Sequence, residues 1–520
     1  MISNLRSYRV FFTLALIVGT IFATTIDQPG YTDAYYYFNA GQRLVQGEGL
    51  TDPYLWVYIN APERLPGPSH TYWMPLESLV AALGMAIGGA NFSAAQIPSV
   101  LCLVGLTTLA FWLGARLGKT RRHAWAAGLL VLFSGFFTPF WTTTDTFALY
   151  GFVGASSLVC MGRGRESGGW RWYAVGGACC GLAHLTRADG LLLLLILALV
   201  ALWPGSQLSW KRRYMRAGVG IIAYLLVMLP WFVRNLSEIG TPLPMGGTQT
   251  IWLRGYNELV NYPPGVTAGE FLDWGLNNIL QSRWEALRTN LGTFIAVETW
   301  MVLGPFVLIG LWSHRQEPLL SCASLYAIAL HLAMTLAFAY PGYRGGLFHS
   351  SSALLPFWAV AGLLGLDRAI AWAARKRRWN RGQAAFVFTT ALVLMAILLS
   401  VGILAQRVQS WNKNAAFYQI IADDLPTDAV IMINDPPALY YHTGRSGVVV
   451  PNADPEVIPE IAARYGVTHL ALDVNRTQPF TRLFWGEETR PFLRFVRLYD
   501  RGTADPKDDI RLFEIVGDDQ

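Results

Sequence analysis

The strongest constraint on this chain is the recurrence of apolar runs about 20 residues long, separated by short segments that carry most of the charge. A helix rises about 1.5 Å per residue, so a run of that length crosses the roughly 30 Å hydrocarbon core of a bilayer. Runs bounded by charge or by Pro and Gly lie at 9–25, 95–117, 123–140, 146–161, 172–187, 189–204, 217–233, 291–312, 319–340, 349–373 and 384–405, which predicts about eleven transmembrane helices. Only 14% of the 520 residues are charged, against roughly 25% in soluble domains. Lipid is therefore the main solvent. No small-residue cleavage motif follows the first run, which is read as a retained span rather than a signal peptide.

The net charge of +6 does not point to nucleic acid, because the basic residues cluster in alternate loops. Arg6 and Arg9, then Arg116, Lys119, Arg121 and Arg122, then Arg163, Arg165 and Arg171, then Lys211, Arg212, Arg213 and Arg216, then Arg315, and finally 375–378 and Arg381 all fall on one side if residues 75–89 do not span. The positive-inside rule makes that side cytoplasmic. The segment PLESLVAALGMAIGG is thus expected to be a re-entrant or interfacial helix in the first external loop, with the N-terminus cytoplasmic and the chain from 406 external. The five cysteines, Cys102, Cys160, Cys179, Cys180 and Cys322, all fall within expected spans as small buried hydrophobes rather than a disulfide framework.

The expected organisation is an all-α polytopic membrane domain over 1–405 and a soluble α/β domain over 406–520. The tail carries helical patterns near 411–425 and 455–465, and strand patterns at 429–434, 447–451, 468–474, 492–499 and 510–516, which imply an at least partly parallel sheet. No glycine-rich phosphate loop follows any strand, so a nucleotide site is not expected.

Polar residues at positions that lipid makes expensive are the candidates for chemistry. Asp33 lies in YTDAYYYFNAGQRLVQGEG, where Ala34, Tyr37, Phe38, Gly41, Leu44 and Val45 recur at helical spacing; this predicts an interfacial amphipathic helix with Asp33 in its first turn, and a plain helix cap by Asp33 or Thr32 is the competing reading. Asp145, in FWTTTDTFALYGF, sits in a loop of a few residues between two spans, as a cap or as a group facing a cavity. In GLAHLTRADGLLLLL, Arg187 and Asp189 share a tight turn and can simply pair, while His184 reads as a buried, hydrogen-bonded histidine. YPGYRGGLFHSSSALLPF carries Tyr343, Arg344 and His349; an arginine fork there suits a phosphate group or an anionic lipid, and His349 suits either phosphate or a backbone carbonyl. APERLPGPSHTYWMPLES adds Glu63, Arg64, His70 and Trp73, which as interfacial anchors need no chemistry.

These motifs, TDAYYY, SHTYWMPL, TTTDTF, GLAHLTRADGLLLL and GYRGGLFHSSSALLP, occur in an order that resembles the GT-C glycosyltransferases, in the bacterial branch akin to protein mannosyltransferases and aminoarabinose transferases. The resemblance covers about 1–405. It implies a multi-pass bacterial inner-membrane enzyme that transfers a sugar, with inversion, from a polyprenyl-phosphate donor to a glycan, lipid or protein acceptor on the external face. Asp33 matches the family's first-loop catalytic Asp and Asp145 its second acidic position. Arg344, Arg187 and His349 are then candidates for the donor phosphate, and Glu63, His70, Tyr343 and Asp189 for the acceptor. The loop containing QTIWLRGYNELVNYPPG would fold over the site as a lid. No cofactor is required by this reading, no metal-ligand set is assigned, and a divalent cation is compatible with it. Two departures stand out: Ala34 follows Asp33 where the family often has a second acid, and Trp73, Met74, Pro75 and Leu76 replace its His-Pro-Pro or Lys-Pro-Pro form. A transporter of lipid-linked sugars and a non-catalytic envelope scaffold are the competing readings. Polar clusters at span ends on one side, rather than in mid-membrane, favour the enzyme.

Overall fold

The computed structural model describes residues 5–59, 61–203, 208–244, 248–500 and 505–517, without the side chains of 413–416. Two units divide the chain. The first is Met1–Gln28, Met74–Leu243 and Asn277–Val408; the second is Pro29–Trp73, Pro244–Leu276 and Gln409–Gln520. The break expected near 405 coincides with one junction, at 408 and 409, but the second unit also draws in two earlier loops.

The first unit is helical. Among the described residues six helical stretches are long and apolar enough to cross a membrane: Leu5–Thr24, Phe92–Gly118, Trp210–Ile239, Pro318–Ala337, Ala339–Arg377 and Arg381–Asp423, the last running on into the second unit. This is a multi-pass membrane protein. Helix Trp210–Ile239 shows how lipid inverts the usual pattern: Ile222, Leu225, Leu226, Leu229 and Val233 are exposed, while Ala217, Gly220, Tyr224 and Met228 are buried. Without water to drive apolar faces together, helices pack through small residues. A Cβ on Gly177 would stand 2.0 Å from the Gly220 carbonyl oxygen, so this crossing requires glycine. Helix Phe147–Ser167 and the shorter helices Arg121–Leu132, Trp170–Thr186, Leu191–Leu202 and Gly304–Ser313 occupy other expected spans.

Two of those expected spans are not continuous. The run 123–140 is helical only to Leu132, then turns at Gly135, whose φ of 62° suits glycine, and proceeds as a 3₁₀ segment to Phe140. The run 291–312 joins two helices, Leu276–Thr293 and Gly304–Ser313, across a π turn at Phe294–Glu298 and two left-handed residues, Trp300 and Met301. Two causes are visible. Pro305 cannot donate into a continuing ladder and starts the second helix. Glu298, wholly buried, must find donors, and Trp358 Nε1 supplies one at 2.9 Å. The ambiguous segment 75–89 forms one helix, Leu76–Gly88, of 13 residues. Its length of about 20 Å falls short of a bilayer core.

The second unit holds a five-stranded sheet in the order β4-β3-β5-β7-β6, where β3 is Val430–Met432, β4 Gly447–Val448, β5 Val467–Leu472, β6 Leu493–Tyr499 and β7 Ile510–Ile515. A separate two-stranded ribbon pairs β1, Thr51–Asp52, with β2, Gly67–Pro68. Strands β4, β3 and β5 are parallel, and β5, β7 and β6 antiparallel. Alternation along the strands builds a core on each face: Met432, Leu470 and Leu472 join one cluster, Ile431, Ile433 and Ala471 the other. The free edge of β4 is occupied by the first loop, since Leu55 N donates to Gly447 O at 2.9 Å and Val449 N to Leu55 O at 2.8 Å.

Two further expectations change here. The loop expected to act as a lid is packed into this unit: Val260 and Tyr262 are buried in the first cluster, Tyr262 donates to Glu460 at 2.6 Å, and Asn452 N donates to Val260 O at 2.7 Å. The first-loop helix, Thr32–Val45, is not an interfacial helix with one apolar face, because every residue from Ala34 to Gly41 is buried. Its tyrosines permit this, since a ring can be buried on any side once its hydroxyl finds a partner. Tyr35 faces His442 Nε2 at 3.0 Å, and Tyr36 donates to Asp52 at 3.1 Å and accepts from His70 N at 2.7 Å.

Candidate functional site

In the first unit a short helix, Leu347–Ser351, presents two consecutive polar side chains, and each meets an acid from a different loop. The run Thr142–Thr146, closing the turn before helix Phe147–Ser167, is buried throughout, with Asp145 only 1% exposed. Asp145 Oδ1 accepts from Thr146 N at 2.5 Å, and Oδ2 lies 3.1 Å from His349 Nε2. His349 Nδ1 in turn lies 2.9 Å from Gly345 O, and the ring stacks on Phe147 at 3.9 Å. Both imidazole nitrogens face acceptors.

One residue on, Ser350 donates to Asp189 Oδ2. Arg187 Nε donates to Asp189 Oδ1 at 3.1 Å and to Ser350 Oγ at 3.2 Å. The sequence left open whether Arg187 and Asp189 merely pair; they do pair, and a serine from a distant segment joins them. Beneath them the hydroxyls of Tyr150 and Tyr326 meet at 2.8 Å. The geometry therefore ties Asp145, Arg187, Asp189 and His349 together through two adjacent residues. Asp145 and His349 also offer the carboxylate and imidazole donors a divalent cation takes. Tyr343, half-buried, and Arg344, exposed, sit on the π segment Gly342–Gly346 just before this helix. His184 is buried with Nδ1 at 2.7 Å from Tyr224 Oη, as expected of a structural histidine.

In the second unit Asp33 occupies the first turn of helix Thr32–Val45. Neither it nor Thr32 caps that helix: the N-cap is Tyr31, without a side-chain cap, and the Thr32 hydroxyl donates to Asp435 Oδ2 at 2.7 Å. Glu63 is exposed on the first loop. His70 is fully buried with a φ of 59°, its Nδ1 2.8 Å from Ser69 Oγ. It is a packed residue rather than an open acceptor contact.

Among the described residues, two fully buried acids and one half-buried acid escaped the sequence reading. Glu77, on helix Leu76–Gly88, is fully buried with Ser99 donating at 3.2 Å, and among the described residues its second oxygen has no hydrogen-bond partner. Glu298 is the second. The third is Asp435, whose burial lifts it to about 6 against the hydrogen bonds from Thr32 and Ala438. A lone acid inside an apolar run was a usable signal for Glu77 and Glu298; for Asp435 the sequence shows only a helix start, Asp-Pro-Pro.

Residues 69–232 match the family described as dolichyl-phosphate-mannose-protein mannosyltransferase. Over 172 residues the chain is 30% identical to the undecaprenyl phosphate-alpha-4-amino-4-deoxy-L-arabinose arabinosyl transferase of Pseudomonas aeruginosa, a match covering 32% of this chain and 29% of that protein. The chain thus spans under a third of the curated relatives it matches. In fold it is similar to ArnT from Cupriavidus metallidurans bound to undecaprenyl phosphate, with TM-score 0.61, 15% identity and 97% of each chain covered. It is also similar to the archaeal oligosaccharyltransferase AglB from Archaeoglobus fulgidus in complex with an inhibitory peptide and a dolichol-phosphate, with TM-score 0.58, 11% identity, and 95% of this chain and 73% of that one covered.

Proposed function

With the fold of the GT-C superfamily of membrane glycosyltransferases, and aminoarabinose-transferase-like over its matched stretch, this chain is one that, we propose, transfers a sugar from a polyprenyl-phosphate donor to an acceptor. The observation that carries the reading is the pair of polar contacts on helix Leu347–Ser351, where His349 meets Asp145 and Ser350 meets Asp189 and Arg187. Acids and bases among apolar helices are rare; they pair with one another and mark sites for charged ligands.

In the proposed reaction Asp33 takes the proton of an acceptor hydroxyl. The hydroxyl oxygen attacks the anomeric carbon from the face opposite the phosphate, the carbon–oxygen bond to phosphate breaks, and polyprenyl phosphate leaves with the electron pair, giving inversion. Negative charge grows on the leaving phosphate, which Arg187, Arg344 and His349 are suited to stabilise. Asp145 orients His349, with a divalent cation as an alternative occupant. Glu63, Tyr343 and Asp189 remain acceptor candidates. An apolar groove of about 390 Å³ in the first unit, lined by Leu280, Trp284, Leu287, Leu291, Leu332 and Leu336, suits an isoprenoid chain. The proposed setting is the bacterial inner membrane, with eleven spans, a cytoplasmic N-terminus, a membrane domain to 405 and an external α/β domain from 406.

The test is Asp33→Asn in the full chain, assayed with undecaprenyl-phosphate-linked sugars. A loss of about 10²- to 10⁴-fold in kcat is expected for removal of a general base. Undiminished transfer sinks the assignment of Asp33, and no transfer by the unmodified chain with any donor favours a transporter.

A further inference from the structure

Helix Thr32–Val45 carries Asp33 in its first turn, where helices fray most easily and where no side-chain cap holds this one. What fixes that turn comes from about 400 residues later in the chain. Helix Pro436–Thr443 meets the first-loop helix along a single stripe. Thr32 donates to Asp435 Oδ2 at 2.7 Å, Tyr35 Oη lies 3.0 Å from His442 Nε2, Asn39 Nδ2 donates to Pro437 O at 2.8 Å, and Arg43 Nη1 donates to Tyr440 Oη at 3.3 Å. Positions 32, 35, 39 and 43 follow the spacing i, i+3, i+7, i+11 of one helix face. Asp33 stands roughly 100° around the helix from Thr32. The grip therefore fixes its backbone without engaging this face of the helix for chemistry.

Asp435 does two jobs with one carboxylate: Oδ1 accepts from Ala438 N at 3.1 Å, capping its own helix, while Oδ2 accepts from Thr32. Movement of helix Pro436–Thr443 is thereby transmitted to the start of the helix that bears Asp33. We propose that Asp435 is a positioning residue for Asp33, acting through Thr32, and that the sheet domain is a working part of the transferase rather than an appendage. This rests on the reading of Asp33 as the base. The groups facing Asp435 are Thr32 and Tyr35 from the first-loop helix, Tyr54 from the loop after it, Asp473 at the end of β5, and Ala438 N on its own helix. Burial raises this carboxyl toward neutral pH, so its grip on Thr32 weakens on acidification.

The test uses the full chain and undecaprenyl-phosphate-linked sugars, with Thr32→Val, Thr32→Ser and Asp435→Asn, and Asp33→Asn as reference. Thr32→Val keeps the shape and removes the hydroxyl, and Thr32→Ser restores the hydroxyl. The expected result is a fall of about tenfold in kcat at unchanged KM for Thr32→Val, recovery of most of it by Thr32→Ser, and disappearance in Asp435→Asn of an acid limb near pH 6. Amide exchange over 32–37 should rise about tenfold in Thr32→Val and Asp435→Asn only. Unmodified kcat in both variants, alongside inactive Asp33→Asn, overturns the positioning role and leaves the base standing. Full activity of Asp33→Asn overturns the base, and the exchange data alone then judge the grip: unchanged exchange overturns it too.

Discussion

Asp145 and Asp189 of the first unit and Asp435 of the second have opposite kinds of partner. Asp145 faces His349 and Asp189 faces Arg187, so each carboxylate has a group able to carry the opposite charge. Among the described residues Asp435 has only neutral donors, the Thr32 hydroxyl and the Ala438 amide. Removing one member of a pair of opposite charges leaves the other uncompensated and is costly, whereas neutral donors offset the burial of Asp435 only in part and leave it sensitive to pH.

The sharpest way to break this contrast is to remove one half of a pair. Asp145→Ala leaves His349 with an unmatched ring nitrogen in an apolar setting, and the cost of such a broken buried pair is about 3–5 kcal/mol. Thermal midpoints of the full chain in detergent should fall steeply for Asp145→Ala and for His349→Ala, and the double variant should cost clearly less than the sum of the two. A single-variant loss below about 1 kcal/mol would mean that the pair contributes little to the fold.

The next effect belongs to Asp435, with a definite sign. Its folded value of about 6 lies above the roughly 4 of an unfolded chain, so the folded state binds the proton more tightly. The resulting stabilisation is fully present below pH 4 and is lost as the pH rises through 6, amounting to about 3 kcal/mol over that window. His442, on the same helix, works in the other direction: burial lowers it to about 4, so its contribution is present above the ordinary histidine range and is lost as the pH falls. Unfolding midpoints taken between pH 4 and 8 should therefore show a component that Asp435→Asn removes and another that His442→Gln removes. If Asp435→Asn leaves the slope between pH 4 and 6 unchanged, the acid is not held in a raised state.

The same contrast explains what could be read from the sequence. Local periodicity sufficed for the apolar helices and for the strands around Ile431, Leu470 and Leu512, because burial of alternate or every third and fourth residue leaves its mark within a few positions. The candidates Asp145, Arg187, Asp189 and His349 were also legible, since a charge beside an apolar run stands out. The break at 294–303 was not, because Glu298 finds Trp358 across 60 residues and an apolar count ignores one acid. Nor was the contact of Thr32 with Asp435, which spans 403 residues and leaves no local pattern in either segment. Charge marks a candidate beside an apolar run; a neutral hydroxyl donor in a sheet unit does not.

The smallest expected effect lies at the far edge of that sheet, on side chains that are largely exposed. Arg494 and Glu514 face one another across β6 and β7, with Arg494 Nε donating at 3.0 Å, but their side chains are 65% and 35% exposed. Solvent screens such a pair, and ordering two long side chains offsets most of the attraction. Arg494→Ala should cost under about 1 kcal/mol, and the difference should shrink further at 1 M salt, where the screening length falls to about 3 Å. A loss on the scale expected for Asp145 would show instead that this edge strand is shielded from water in the working protein.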